Sequence, residues 1–296
     1  STARAAAQVA RMQGATRVVV ATPVAPVEVR DGLGGDVDEV IVVETPYPFY
    51  AIGQFYLDFS PTTDDEVAAI LYRAGSISSP ASVEGPPPVD EEVVVGPIGL
   101  GGHLTIPEGA LGTVVFAHGS GSSRHSPRNR HVADELNRVG LGTLLFDLLT
   151  PIEESDRGNV FDIELLGRRL VDGTRWLTGR EGWGNHPVCY FGASTGAAAA
   201  LWAAAELGDA ISAVVSRGGR PDLAGSRLPA VRAPTLLIVG GLDRVVLDMN
   251  RAAQAQLTCE NRLDVVPGAS HLFEEPGALD QVADLARDWF VSHCRS

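Results

Sequence analysis

At 296 residues with 45% hydrophobic side chains, the chain is long enough for two domains or for one large α/β domain with a full core. Its 37 acidic against 23 basic residues give a net charge of -14, which argues against nucleic acid or an anionic membrane as partner, since both would repel it. Cys189, Cys259 and Cys294 are too scattered for a disulfide framework and indicate a reducing, cytoplasmic setting, and no stretch approaches the roughly 20 apolar residues that span a bilayer.

The first elements read as part of an α/β unit. Ser1 to Gln13 carries a helical period, Arg17 to Ala21 is a β-branched strand, Pro26 to Leu33 a short helix and Asp38 to Val43 a second strand. With no initiator Met and a start in mid-pattern at Ser1-Thr2-Ala3-Arg4, the chain reads as beginning inside its natural domain. Thr22-Pro23-Val24-Ala25-Pro26, Glu44-Thr45-Pro46 and Phe49-Tyr50-Ala51-Ile52-Gly53-Gln54-Phe55-Tyr56 resemble the C-terminal part of a phosphoribosyltransferase-type domain, over residues 1–75. In that family an acidic pair precedes a Thr-Gly-rich loop that grips a sugar diphosphate, and Ser1-Thr2 resemble the end of that loop. The nearest acidic cluster, Asp36-Val37-Asp38-Glu39, precedes a strand and has no such loop after it. It reads as a solvated turn, and no transferase chemistry is assigned to it.

Residues 76–92 concentrate Ser, Pro and acid, a composition that stiffens and solvates a chain without giving it a core. They read as a linker to a domain over 93–296. Val93 to Val95 and Gly102 to Ile106 alternate and break at Gly and Pro, as an antiparallel pair at a sheet edge would. From there strands and helices alternate: strand Thr113–Ala117, helix Pro127–Val139 with Ser126 as N-cap, strand Thr143–Asp147, a long polar loop, and helix Ile163–Leu177. Strand Val188–Phe191, helix Thr195–Leu207, strands Ala213–Ser216 and Thr235–Val239, helix Leu247–Leu257, strand Arg262–Val266 and helix Ala278–His293 complete it. Such a pattern predicts an α/β fold with a mostly parallel sheet covered by helices on both faces, its ligands at the carboxyl ends of the strands.

The chemistry centres on Gly192-Ala193-Ser194-Thr195-Gly196, which falls on the turn between a buried strand and a helix of small residues. A side chain at either Gly would collide with backbone in so sharp a turn, while Ser194 takes a strained conformation that lifts its hydroxyl clear of the sheet. A serine hydroxyl needs a base, itself oriented by a carboxylate. In the chain order serine, acid, histidine, each past a strand's end, Asp243 and His271 fill those roles, with Asp222 and Asp147 as alternative acids. The oxyanion formed on attack takes one donor from the Thr195 N–H and a second from the loop His118 to Ser123, by Ser120 N–H first and Gly119 second. No Lys follows that loop as a phosphate-cradling P-loop would require. Arg124 and Arg217 are candidates to bind an anionic group of a substrate, with surface salt bridges as the alternative. Trp183 and Phe273 read as core. Nothing calls for a metal or cofactor.

Phe116-Ala117-His118-Gly119-Ser120-Gly121-Ser122-Ser123, the pentapeptide around Ser194, Gly240-Gly241-Leu242-Asp243 and His271-Leu272-Phe273-Glu274-Glu275-Pro276-Gly277 together resemble the dienelactone hydrolase branch of the α/β-hydrolases, over residues 93–296. The resemblance implies a hydrolase of small-molecule esters. Dienelactone hydrolases proper use a cysteine nucleophile where this chain has Ser194, and Cys189 lies inside the strand as an apolar filler. That departure points to a general serine carboxylic-ester hydrolase. A transferase-related protein, or a non-catalytic binding module on the same scaffold, are the competing readings.

Overall fold

The computed structural model describes residues 86–294 throughout and, before them, residues 4, 6, 7, 9, 11, 15, 17–26, 29, 37–47, 49 and 55. The chain divides into two units, Ser1–Glu66 and Val67–Ser296. In the first, β1 (Val19–Val24) and β2 (Glu39–Glu44) run parallel with Val20 opposite Val40. A parallel pair cannot be closed by a tight hairpin. Asp38, expected in a solvated turn, instead receives the Arg11 guanidinium at 2.5 Å and the Val18 N–H at 2.6 Å. Those two partners, Arg11 foremost, hold its carboxyl below the usual range. Most of the expected helix 26–33, most of 50–56 and all of 76–85 lie outside the described residues.

The second unit is built on an eight-stranded sheet, ordered β10-β9-β8-β7-β5-β6-β4-β3. Strands β3 (Val89–Val95) and β4 (Leu100–Ile106) form the expected antiparallel edge. β3 starts earlier than Val93 because Val89 and Asp90 still pair with Ile106 and Thr105. Then follow β5 (Thr113–Ala117), α1 (Pro127–Arg138) and β6 (Gly142–Phe146). Ser126 Oγ accepts the Asn129 N–H, so the cap of α1 and its first-turn proline stand as the residues suggested. The loop expected to be irregular holds two short helices, α2 (Pro151–Glu154), with a reciprocal Thr150/Glu153 capping box, and α3 (Arg157–Val160), capped by Asp156.

Helix α4 (Ile163–Thr178) leads to β7 (Val188–Ala193), α5 (Thr195–Leu207) and β8 (Ile211–Arg217). A 3₁₀ segment, Pro221–Ala230, precedes β9 (Thr235–Gly240), α6 (Arg244–Gln254), β10 (Asn261–Val266) and α7 (Ala278–His293). β5 to β10 are parallel, and β5, β6, β7 and β9 are buried along their whole length, as strands covered on both faces must be.

Successive strand residues point to opposite faces, and two cores result. One holds Val115, Phe146, Tyr190, Leu237 and the Ala198–Ala204 side of α5. The other holds Phe116, Phe191, Val215, Ile238 and, from α7, Trp289 and Phe290. Phe116 and Phe191 stack across neighbouring strands at 4.9 Å between centroids, each fully buried ring contributing roughly 1.5–3 kcal/mol. Trp183 and Phe273 are both buried.

One feature of the winding positions the site. From β5 the chain turns through α1 to β6 on one side, and from β7 through α5 to β8 on the other, although β5 and β7 are neighbours. The loops leaving those two strands therefore diverge and leave a crevice between them. Among the described residues no helix is long and apolar enough to cross a membrane.

Candidate active site

Ser194 stands in that crevice at φ 51 and ψ -119, the strained conformation of a turn that goes from strand to helix without a linker. The glycines around it have no room for a side chain. A β-carbon at Gly196 would lie 2.1 Å from the Ala117 carbonyl oxygen, and one at Gly192 would lie 2.4 Å from Ala197 Cα. Helix α5 can thus close onto the ends of β5 and β7, which is what drives Ser194 outward. The Ser194 N–H donates to the Arg217 carbonyl at 3.2 Å and the Ser194 carbonyl accepts from Arg220 at 3.0 Å, anchoring the elbow to the end of β8.

Asp243 Oδ2 lies 2.6 Å from Nδ1 of His271. Asp243 occupies the N-cap position of α6 yet caps nothing, because its carboxylate is turned to the imidazole. The two loops that carry the pair are laced together by Gly241 N–H to Val266 carbonyl, 2.9 Å, and Leu242 N–H to Ala269 carbonyl, 3.0 Å. Gly240 permits this approach, since a β-carbon there would lie 2.4 Å from the Ala269 oxygen. The imidazole leans toward the β8 end: its Cε1 is 3.7 Å from where a β-carbon of Gly218 would stand, one residue past the Arg217 that anchors Ser194. Among the described residues no hydrogen bond joins Ser194 Oγ to the ring.

The alternative acids are committed elsewhere. Asp222 receives Nε and Nη2 of Arg220 at 2.9 and 2.8 Å, and Asp147 receives the Arg124 N–H and guanidinium. Of the other histidines, His103 sits between Asp90 and Glu92, His131 on Asp280 and His186 on Thr113.

The loop after β5 differs from expectation in one respect. Ser120 N–H, the anticipated oxyanion donor, is already given to Thr195 Oγ1 at 2.8 Å. The Thr195 N–H and the Gly119 N–H donate to nothing among the described residues, and Gly119 is close enough to the elbow that a β-carbon on it would lie 3.1 Å from Ser194 Cβ. With the Ser120 N–H taken, the Gly119 N–H, the second choice from the sequence, is the free donor of this loop nearest Ser194. Sequence reading missed how this loop is held. His118 Nε2 accepts the Leu148 N–H at 3.1 Å, so Nδ1 carries the proton and donates to the Gly119 carbonyl at 3.1 Å. Burial lowers the His118 pKa, which keeps that tautomer neutral. Beside the loop, His118 to Ser123 with Asp147, Leu149, Glu154, Val160, Leu166 and Thr195 line a small hollow of about 20 Å³, partly open to solvent.

The two candidate arginines part company. Arg124 is bound to Asp147 through its backbone at 2.8 Å and through its guanidinium, with Glu92 at 3.9 Å, so it braces the loop against β3 and β6. Arg217 is buried, and among the described residues its Nε and Nη1 have no acceptor. Among the described residues no group of three or more His, Cys, Asp or Glu side chains is placed to hold a metal.

An elbow serine at the switch point of a mostly parallel sheet, with an acid–histidine pair on the loops after β9 and β10, defines an α/β-hydrolase. The solved dienelactone hydrolase of Anabaena variabilis shares 57% identity, covers 71% of this chain and 99% of its own, and superposes with a TM-score of 0.67. The chain belongs to the dienelactone hydrolase family. A Mycobacterium tuberculosis H37Rv protein, provisionally named a phosphoribosyl transferase, is 57% identical over 99% of this chain, which spans 68% of that relative's length. An α/β serine hydrolase homologue from Coxiella burnetii, 22% identical over 68% of this chain and 96% of its own, shares the fold with a TM-score of 0.57. No family model matches the chain.

Proposed function

We propose that this hydrolase is a serine carboxylic-ester hydrolase for small acyl esters. The observation that carries the reading is the 2.6 Å bond between Asp243 and His271, made at the carboxyl end of the sheet where the strained Ser194 emerges. Asp243 holds the proton on Nδ1, which leaves Nε2 as the base. Ser194 Oγ attacks the ester carbonyl as His271 takes its proton, and the oxyanion settles on the N–H groups of Thr195 and Gly119. Collapse expels the alcohol, protonated by His271, and water releases the acid from Ser194 by the same steps. The hydrogen bond from serine to base is often loose before a substrate packs against it.

Ser194→Ala removes the nucleophile and little packing, so ester turnover should fall by several orders of magnitude while the melting curve is retained. Near-native turnover by that variant would refute the reading. The Mycobacterium relative's name favours a second reading, a transferase contribution from the unit that holds β1 and β2. Magnesium-dependent consumption of a sugar diphosphate that survives Ser194→Ala would support it.

A further inference from the structure

Asn250 lies in the second turn of α6 and is completely buried. Asparagine is a poor helix former, and a buried amide costs free energy unless its groups are bonded, so packing alone would favour an apolar side chain here. Its Nδ2 donates twice, to the Val246 carbonyl one turn back at 2.8 Å and to the Gly219 carbonyl at 2.9 Å. Its Oδ1 accepts nothing among the described residues, so the amide is held by its donors. The bond to Val246 stays within the helix. The bond to Gly219 reaches 31 residues back, into the loop that follows β8.

That loop is the cradle of the elbow. The Gly219 carbonyl and the Arg220 N–H are the two polar ends of one planar peptide, and the Arg220 N–H donates to the Ser194 carbonyl at 3.0 Å. Asn250 therefore grips one end of a peptide whose other end grips the nucleophile's backbone. The fit around it is close: a β-carbon on Gly219 would lie 2.0 Å from Ser216 Oγ and 2.6 Å from Ala197 Cβ, in the first turn of α5. Gly218, on the other side, donates to the Ile238 carbonyl at 2.8 Å, and a β-carbon on it would lie 3.1 Å from the His271 carbonyl oxygen. Helix α6 itself begins after Asp243, seven residues before Asn250 and so on the same side of the helix. One rigid element thus carries the orienting acid at its start and the hold on the elbow two turns later.

We infer that Asn250 is a positioning residue of this site: through the Gly219–Arg220 peptide it sets where Ser194 stands relative to the Asp243–His271 pair. It touches no reacting atom. The inference deepens the esterase reading and rests on it for the effect on rate, whereas the clamp on the elbow is a property of the fold and does not. Without the amide the buried Gly219 carbonyl loses this donor, and the peptide, with its Arg220 N–H, is held at one end only. A reacting group misplaced by about 1 Å loses on the order of 100-fold in rate, and such a loss falls on kcat rather than on KM.

The test compares the wild type with Asn250→Leu, which fills the space and removes both donors, and with Asn250→Ser, whose hydroxyl can bond back to the Val246 carbonyl but is too short for Gly219. Steady-state kinetics with p-nitrophenyl acetate are taken at a temperature where all three proteins are folded, and hydrogen exchange of the Ser194 and Arg220 amides is followed by NMR. In both variants kcat should fall at least about 10-fold while KM changes by less than about 3-fold. Both amides should exchange at least about 10-fold faster than the change in global stability accounts for. Should Asn250→Leu fail to fold, Asn250→Ser carries both readouts. Rate and exchange that follow global stability alone would make Asn250 a residue of the core and nothing more, and would overturn the inference. So would a rate loss in Asn250→Leu that Asn250→Ser escapes, since that traces to Val246 or to packing, or a rate loss without faster exchange at Arg220. Exchange needs no turnover, so a wild type that hydrolysed no ester would sink the esterase reading and leave the clamp to stand or fall on the amides.

Discussion

Ser120 gives its backbone N–H to Thr195 Oγ1 at 2.8 Å, tying the loop after β5 to the first turn of the helix that follows Ser194. In the proposed mechanism Thr195 therefore serves the site twice, by its own N–H and by holding the loop that carries Gly119. Thr195→Val keeps the volume and removes the acceptor. Leaving a partly buried N–H unpaired costs about 1–3 kcal/mol, and a loop freed by that amount holds the Gly119 donor less well. Urea unfolding should show the stability loss, and turnover of a short acyl ester should show kcat falling more than KM rises.

Gly196 faces two carbonyl oxygens, those of Ala117 and His118, at 2.1 and 2.5 Å from any β-carbon placed there. Gly196→Ala must push α5 off the end of β5, moving Ser194 and the Thr195 N–H away from the loop that carries Gly119. Overpacking of this kind costs about 1–3 kcal/mol or more, and a misplacement near 1 Å costs on the order of 100-fold in rate. A lowered melting temperature together with a collapse of kcat is expected. Gly121→Ala, on the loop after β5 and open around its β-carbon, should lose far less rate, because what strain its φ of 68 brings does not move α5.

Asp243→Asn leaves the shape of the acid intact and removes its charge. An amide can meet Nδ1 in either tautomer, so the imidazole is no longer compelled to keep its base on the side of Ser194. By analogy with the Ser-His-Asp template, kcat should drop by about 10⁴ with KM little changed. Steady-state kinetics near neutral pH would measure it, and a loss of only a few-fold would count against Asp243 as the orienting acid.

Much of this was legible in the residues because the signals were backbone signals. The buried strands β5 to β9, the helices capped at Ser126 and ended near Leu207 and His293, and the antiparallel edge are dictated by hydrophobic period, Gly and Pro, and they stand within a few residues of where those signals put them. Helix α6 starts earlier than Leu247, at Arg244, because Asp243 marks its end without capping it, its side chain having been taken by His271. The two short helices after β6 carried no usable period, being shorter than two turns each, and only their caps at Thr150 and Asp156 could have disclosed them. The harder matter was which polar partner each side chain finds in space. Arg124 and Arg217 look alike in sequence, yet one meets Asp147 across neighbouring strands and the other meets no acid, and nothing local to either residue encodes the difference.

His186 offers a test of the core rather than the site. Its Nε2 contacts Thr113 Oγ1 at 3.0 Å, its carbonyl accepts the Trp183 indole N–H at 3.1 Å and its ring meets that indole edge-on, in a position only 8% exposed. Burial pushes its pKa down to about 4 from the ordinary 6.5. The unfolded imidazole takes up a proton as pH falls through 6.5, while the folded one resists until about 4. Stability contributed by the neutral ring is thus complete above 6.5, drains away between 6.5 and 4, and loses nothing further below that. The sum over that window is about 3 kcal/mol. His186→Asn cannot titrate. It should start less stable at neutral pH, yet lose about 2 kcal/mol less than the wild type when urea unfolding is compared at neutral pH and near the lower end of the window. His118, whose pKa burial also lowers, titrates in both proteins and cancels from the comparison, and an equal loss in the two would show that the His186 ring is solvated enough to accept its proton in the folded state.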